Sequence, residues 1–137
     1  MKNVFLDTNI AIDLLSKREP FYNAAAILFT LGDEKYIKLH ISSLSFSTIF
    51  YLLRRQLGAK DAMDILRRFR MLVHILPVKD TTVDKALDSD FTDFEDAIQY
   101  YSAIENGVKV IVTRNVKDYK ASAIPVITPD EFLKSSY

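Results

Sequence analysis

Apolar residues fall along this chain in short runs that alternate with longer stretches of helical spacing. Five runs read as strands: residues 4–6, 38–42, 74–78, 108–113 and 125–127, each apolar and bounded by polar or turn residues. After the first run the pattern becomes helical, with Ile10, Ile12, Leu14 and Leu15. Residues 20–31 carry Ala24, Ala25, Ile27, Leu28 and Leu31 as an apolar face. Residues 44–57 and 60–72 form two more helical stretches divided by Gly58, and 82–87 a short one. Residues 93–106 form another, stopped by Gly107 as a C-terminal cap. Thr128-Pro129-Asp130-Glu131 opens the last helix, with Thr128 as N-cap, Pro129 in the first turn and Glu131 closing a capping box. Strands alternating with helices predict an α/β fold, a parallel sheet with helices on both faces.

That architecture gathers acids at one edge. Asp7 follows the first strand directly, so it stands where open α/β sheets bind ligands. A helix leading into the next parallel strand must begin at the same edge. The helix over 93–106 is roughly 21 Å long, enough to cross the sheet. It therefore delivers Asp93 and Asp96, spaced i, i+3, to the edge that holds Asp7. The strand over 108–113 then releases Asn115 and Asp118 next to Asp7 if the first and fourth strands are neighbours. Asp7, Asp93, Asp96 and Asp118, with Asn9 and Asn115 as neutral oxygen donors, suit Mg²⁺ or Mn²⁺.

Each residue also has a plainer reading. Asp7 can cap the following helix, and Asp118 can make a local turn with Lys117. Thr92 reads as the N-cap of its helix and Glu95 as its capping-box partner. That leaves Asp93 as a residue of the helix dipole and outer shell. Asp96 lies too deep in the helix for capping. His40 and His74 fall at strand starts, away from the acids, and read as packed or surface histidines.

Composition narrows the classes. The 137 residues have the hydrophobic content, 49%, of an ordinary globular protein, and are expected to form one domain spanning 1–137. No cysteine is present, which removes thiolate metal sites and cysteine nucleophiles. No apolar stretch approaches a membrane span and no signal peptide is visible, so a cytoplasmic protein is expected. Net charge is zero, so overall charge does not announce nucleic acid.

Phe5-Leu6-Asp7-Thr8-Asn9, then Asp93-Phe94-Glu95-Asp96-Ala97-Ile98-Gln99, then Val110-Ile111-Val112-Thr113-Arg114-Asn115, resemble in order and spacing the motifs of PIN-domain proteins. That family includes the nuclease toxins of many bacterial type II toxin–antitoxin pairs. The resemblance covers nearly the whole chain. It implies a three-layer α/β/α fold with a parallel five-stranded sheet in the order 3-2-1-4-5. It also implies Mg²⁺- or Mn²⁺-dependent cleavage of RNA, an antitoxin protein as partner, and a homodimer. Asp7 matches the first family acid and Asp96 the third, and these are the expected metal ligands. Asn115 stands where many members carry the fourth, with Asp118 as the nearby substitute in the catalytic set. Asp93, Asn9 and Asn115 are expected around the ion.

One departure is specific. The family's usual glutamate in the helix after the second strand is replaced by Thr48, and no acid occurs between Glu34 and Asp61. Fewer anionic ligands weaken metal binding. Two functions follow as expectations: a metal-dependent ribonuclease, or a catalytically weak or inactive PIN-fold module for RNA binding or assembly. A third, a phosphatase with a strand-end aspartate nucleophile, needs an acid where Asn9 stands. Lys17, Arg18, Arg114, Lys117 and Lys120 are the candidate phosphate contacts. The arginines at 54, 55, 67, 68 and 70 read as a solvated helix face. Residues 44–53 are apolar nearly all round at helical spacing, which predicts a homodimer through this helix and its neighbour over 60–72.

Overall fold

Val4, Phe5 and Leu6 are fully shielded from solvent, because the strand that holds them, β1 (Lys2–Leu6), lies mid-sheet with both faces covered. The computed structural model describes residues 1–135. The other strands are β2 (Ile37–Ser42), β3 (His74–Leu76), β4 (Ile111–Val112) and β5 (Val126–Ile127). All pairings are parallel, in the order β3-β2-β1-β4-β5. The order reverses between β1 and β4, as the motif resemblance implied.

The helices are α1 (Thr8–Leu15), α2 (Tyr22–Asp33), α3 (Ser43–Leu57), α4 (Ala59–Arg70), α5 (Asp80–Leu87), α6 (Phe94–Glu105) and α7 (Pro129–Lys134). Side chains alternate across the pleat. Val4, Leu6, Leu39 and Val112 face the larger core with Leu28 of α2, Leu53 of α3, Phe69 of α4 and Phe132 of α7. Phe5 and Ile111 face the other way, onto Tyr100 and Ala103 of α6. α5 packs on α6 through Ala86, Ala97 and Ile98. The result is three layers, α/β/α. α2 lies so close to β2 that a Cβ on Gly32 would come within 2.7 Å of Leu39. Among the described residues no helix is long and apolar enough to cross a membrane.

Three strands are shorter than their apolar runs, β5 only by Pro125. β3 stops at Leu76 because Pro77 has no N–H for the ladder. The run over 108–113 pairs as a strand only at 111–112, because its start is spent ending α6. Gly107 takes φ 72°, and the Val108 N–H returns to the Ala103 carbonyl at 3.0 Å. His40 and His74 pack side by side, ring centroids 5.4 Å apart, with His40 Nε2 2.9 Å from Asn3 Oδ1. Burial, then His74 and Lys38, push His40 down to about 4. His40 is buried and His74 exposed, a packed and a surface histidine, as expected.

The last helix opens as its sequence indicates. Thr128 Oγ1 accepts from Glu131 N at 3.1 Å, and Glu131 Oε1 from Thr128 N at 3.2 Å. Thr128→Ala removes one of these bonds and is expected to cost about 1 kcal/mol. A urea midpoint lowered at constant slope checks it, and an unchanged midpoint would mean that α7 contributes nothing through its cap.

Candidate active site

β1 ends at Leu6 and the chain turns at once into α1. Asp7 makes that turn: its N–H donates to the Val112 carbonyl at 3.0 Å, and its Oδ1 accepts from Asn9 N at 3.3 Å as N-cap of α1. Capping and placement at the sheet edge are therefore both true of Asp7. The side chain is only 5% exposed. It is held by three further donors: Gln99 Nε2 at 3.3 Å to Oδ1, Thr113 Oγ1 at 2.8 Å and Tyr119 OH at 3.2 Å to Oδ2.

α6 starts at the same edge and brings Asp96 opposite Asp7. The same two side chains reach both acids. Gln99 Nε2 is 3.4 Å from Asp96 Oδ1, and Tyr119 OH 3.5 Å from it. Asp96 has no donors as good as those of Asp7. Burial, then Asp7, Asp93, Asp118 and Glu95, push its carboxyl up to about 7. Burial, then Asp7 and Asp96, raise the Tyr119 phenol, so it stays a neutral donor.

The other candidate residues sit less centrally. Asp93, not Thr92, is the N-cap of α6, and its Oδ1 accepts from Asp96 N at 2.9 Å. A carboxylate at this position also meets the positive end of the helix. The shift by one residue releases Glu95 from the capping role expected for it. Its Oε1 instead lies 3.5 Å from both Thr8 Oγ1 and Thr48 Oγ1. Burial, then Asp93 and Asp7, raise Glu95 against the lowering effect of the two threonines. Asp118 stands half-exposed on a 3-10 turn, Val116–Tyr119. It is close enough to raise Asp96 but makes no hydrogen bond to either central acid. Asn115 is exposed, and its N–H donates to Thr113 Oγ1 at 3.0 Å.

Asn9 Oδ1 is shielded from solvent and has no partner. A buried oxygen without a donor invites one, or a cation. The donors are all oxygens, which suits a hard divalent ion in kind. Their number is small: among the described residues no three acidic or histidine side chains form a group able to hold an ion as they stand. The acids converge on a facing pair, with the others at its rim.

Arg114, a candidate phosphate contact, is engaged within the protein. Its Nε donates to Asp13 Oδ2 at 2.7 Å and its Nη2 to Asp13 Oδ1 at 3.2 Å, and its guanidinium lies 3.9 Å from the centre of the Phe21 ring. Asp13 is buried, so its charge claims this arginine. Lys117 and Lys120 remain available, lining a hollow beside Asp118. The α3–α4 arginines are exposed, as expected, and Arg67 pairs with Asp64 at 2.9 Å.

Gln99, Thr113 and Tyr119 were not singled out from the sequence. Gln99 carried a usable signal, since it lies three residues after Asp96 on a helix whose neighbouring positions are apolar. Tyr119 and Thr113 carried none, because their part depends on the β1–β4 pairing.

Comparison with known proteins agrees with this geometry. A model of the PIN domain family matches residues 3–117. Ribonuclease VapC1 of Aquifex aeolicus is 30% identical over 138 residues, covering 96% of this chain and 93% of the relative. The structure of VapBC2 from Rickettsia felis, bound to a DNA fragment from its promoter, aligns with a TM-score of 0.70 at 18% identity, over 92% of this chain and 98% of that one. A toxin–antitoxin complex from Klebsiella pneumoniae aligns at 0.69 and 22% identity, over 92% and 97%.

Proposed function

The chain belongs to the PIN domain family, and from that premise we propose that it is a toxin-type RNA-binding module whose divalent-metal-dependent ribonuclease centre is weak. The observation that carries this reading is the Asp7–Asp96 pair, spanned by Gln99 and Tyr119, with Thr48 where the family places an acid. Family membership displaces the phosphatase alternative, and the Asn9 N–H donates to Asp7, the cap of α1.

Mg²⁺ or Mn²⁺, when bound, lowers the pKa of water and offsets charge on a phosphodiester. Asp7 and Asp96 would hold it, with Asn9 Oδ1 as a neutral donor. Thr113, Tyr119 and the Asn9 amide fix the Asp7 carboxylate in one orientation. Asp96, pushed up to about 7, keeps a proton in much of the population at neutral pH and must release it before it can act as a ligand. Asp118 and Asn115, at the rim, are the candidates for orienting water. Lys117 and Lys120 are placed to meet RNA phosphates. The Klebsiella pneumoniae structure is a toxin–antitoxin complex, which supports an antitoxin protein as partner.

Wild type should bind labelled single-stranded RNA with an affinity that falls with salt, and should cleave it slowly in millimolar Mn²⁺. Asp7→Asn should bind as well and not cleave. Failure to bind RNA, or equal cleavage by Asp7→Asn, would overturn the reading.

The homodimer is proposed on the α3 face. Ile49 and Leu53 are buried in the protein's own core, which absorbs part of the apolar excess. Phe46, Phe50 and Leu52 are half-buried and Tyr51 is 57% exposed. Light scattering at micromolar protein should give a dimer mass.

A further inference from the structure

We propose that two hollows on the sheet edge opposite the acids form one basic track for the phosphates of single-stranded RNA; this rests on the RNA-binding reading above. All the parallel strands start at that edge. β1 is five residues long, so the track lies roughly 17 Å from Asp7. One hollow, about 900 Å³, spans the starts of β2 and β3 and carries Lys35, Lys38 and Arg70. The other, about 690 Å³, lies at the starts of β1, β4 and β5 and carries Lys2 and Lys109. Met1 lines both and joins them. Each has the size of a ligand site. The charges are one-sided: five cations line the two hollows against one acid, Asp33. The zero net charge of the chain thus covers a polarised molecule, with acids at one edge and bases at the other.

These cations are not spent on carboxylates of their own. Among the described residues no salt bridge includes any of the five. Arg70 Nη1 donates to the Val73 carbonyl at 3.1 Å, which fixes the guanidinium beside the hollow. Lys2 has a weaker hold, its Nζ 5.8 Å from the centre of the Phe132 ring. The positive field reaches the neighbouring imidazole: burial, then Lys38 and Arg70, push His74 down. Cations also collect at helix C-termini to meet the dipole. Here backbone groups close those ends. The N–H groups of Lys35 and Tyr36 return to Gly32 and Leu31, and those of Met71 and Leu72 to Arg68 and Phe69. Single strands are held by positive grooves that follow the phosphates, with aromatic faces for the bases. Tyr36, 61% exposed next to Lys35, offers such a face. A ring there favours a nucleobase over an acidic peptide.

The test uses the full chain and labelled single-stranded RNA of about 20 nucleotides, longer than one such groove needs. Binding is measured across a salt series for wild type, for Lys38→Gln with Lys109→Gln, and for Lys38→Arg with Lys109→Arg. The glutamine pair removes one cation from each hollow. It should weaken binding by on the order of tenfold and lower the salt slope by about two. The arginine pair should bind as wild type does. Equal affinity and slope in the glutamine pair and wild type would overturn the track and leave the reading above intact. An arginine pair as weak as the glutamine pair would show that the lysines hold the fold and not phosphate. Displacement by poly-glutamate at a lower charge concentration than by unlabelled RNA would give the track to an acidic protein instead. No RNA binding by wild type would remove the reading above, and the track with it.

Discussion

Arg114→Ala is expected to destabilise the protein by about 3–5 kcal/mol, because it leaves a buried charge without its partner. Asp13 is 1% exposed, and Arg114 holds both its oxygens, at 2.7 and 3.2 Å. Once the guanidinium is gone, the carboxylate has no ion-pair partner left among the described residues. The Phe21 ring also loses the group stacked on it. Most of the loss is thus a penalty on Asp13, and the second variant, Asp13→Asn with Arg114→Gln, should recover a large part of it. Urea unfolding of the three proteins decides. A cost for Arg114→Ala below about 1 kcal/mol, the range of an exposed pair, would show that Asp13 is not isolated as described.

The second large effect is pH-dependent. The Asp96 carboxyl is held up to about 7 against an ordinary value of 3.8, chiefly by burial and by Asp7. A group raised on folding favours the folded state fully below its unfolded value. That contribution is lost as pH rises through the folded value. The metal-free protein should therefore lose stability as pH rises from about 4 to just above 7. Glu95 is raised as well and adds in the same direction. His40, lowered to about 4 from 6.5, acts oppositely but only below 6.5. Between pH 6.5 and 8 the slope belongs mainly to Asp96, and Asp96→Asn should flatten it. Mn²⁺ should reverse the trend, since binding requires the deprotonated acid and so strengthens as pH rises. A thermal-melt series with and without Mn²⁺ measures both. A wild-type slope equal to that of Asp96→Asn would mean that Asp96 is not raised.

The charge crowding on Asp96 was not legible in the sequence. Asp7 was identifiable because a continuous apolar run ends on it. The edge it shares with Asp96 followed from the direction in which α6 must run. The sheet order came only with the motif resemblance, since periodicity does not say which strands are neighbours. Hydrogen-bond partners were out of reach for a related reason. Thr113 and Tyr119 reach Asp7 because β4 lies beside β1, a contact across more than a hundred residues. Glu95 was misread for a local reason: Thr92 and Asp93 are both good N-caps, and the choice between them decides whether Glu95 faces its own backbone or Thr48. Arg114 was read as a phosphate contact because the sequence does not show that Asp13, the sole acid of α1, is buried against it.

The ribonuclease reading rests on a divalent ion held weakly between Asp7 and Asp96. A crystal soaked in Mn²⁺ and measured for anomalous scattering tests it most directly. One peak is expected between these two carboxylates, partly occupied at neutral pH and stronger at pH 8, and absent from crystals of Asp7→Asn. An empty site at pH 8 in millimolar Mn²⁺, or a peak that persists in Asp7→Asn, would contradict it.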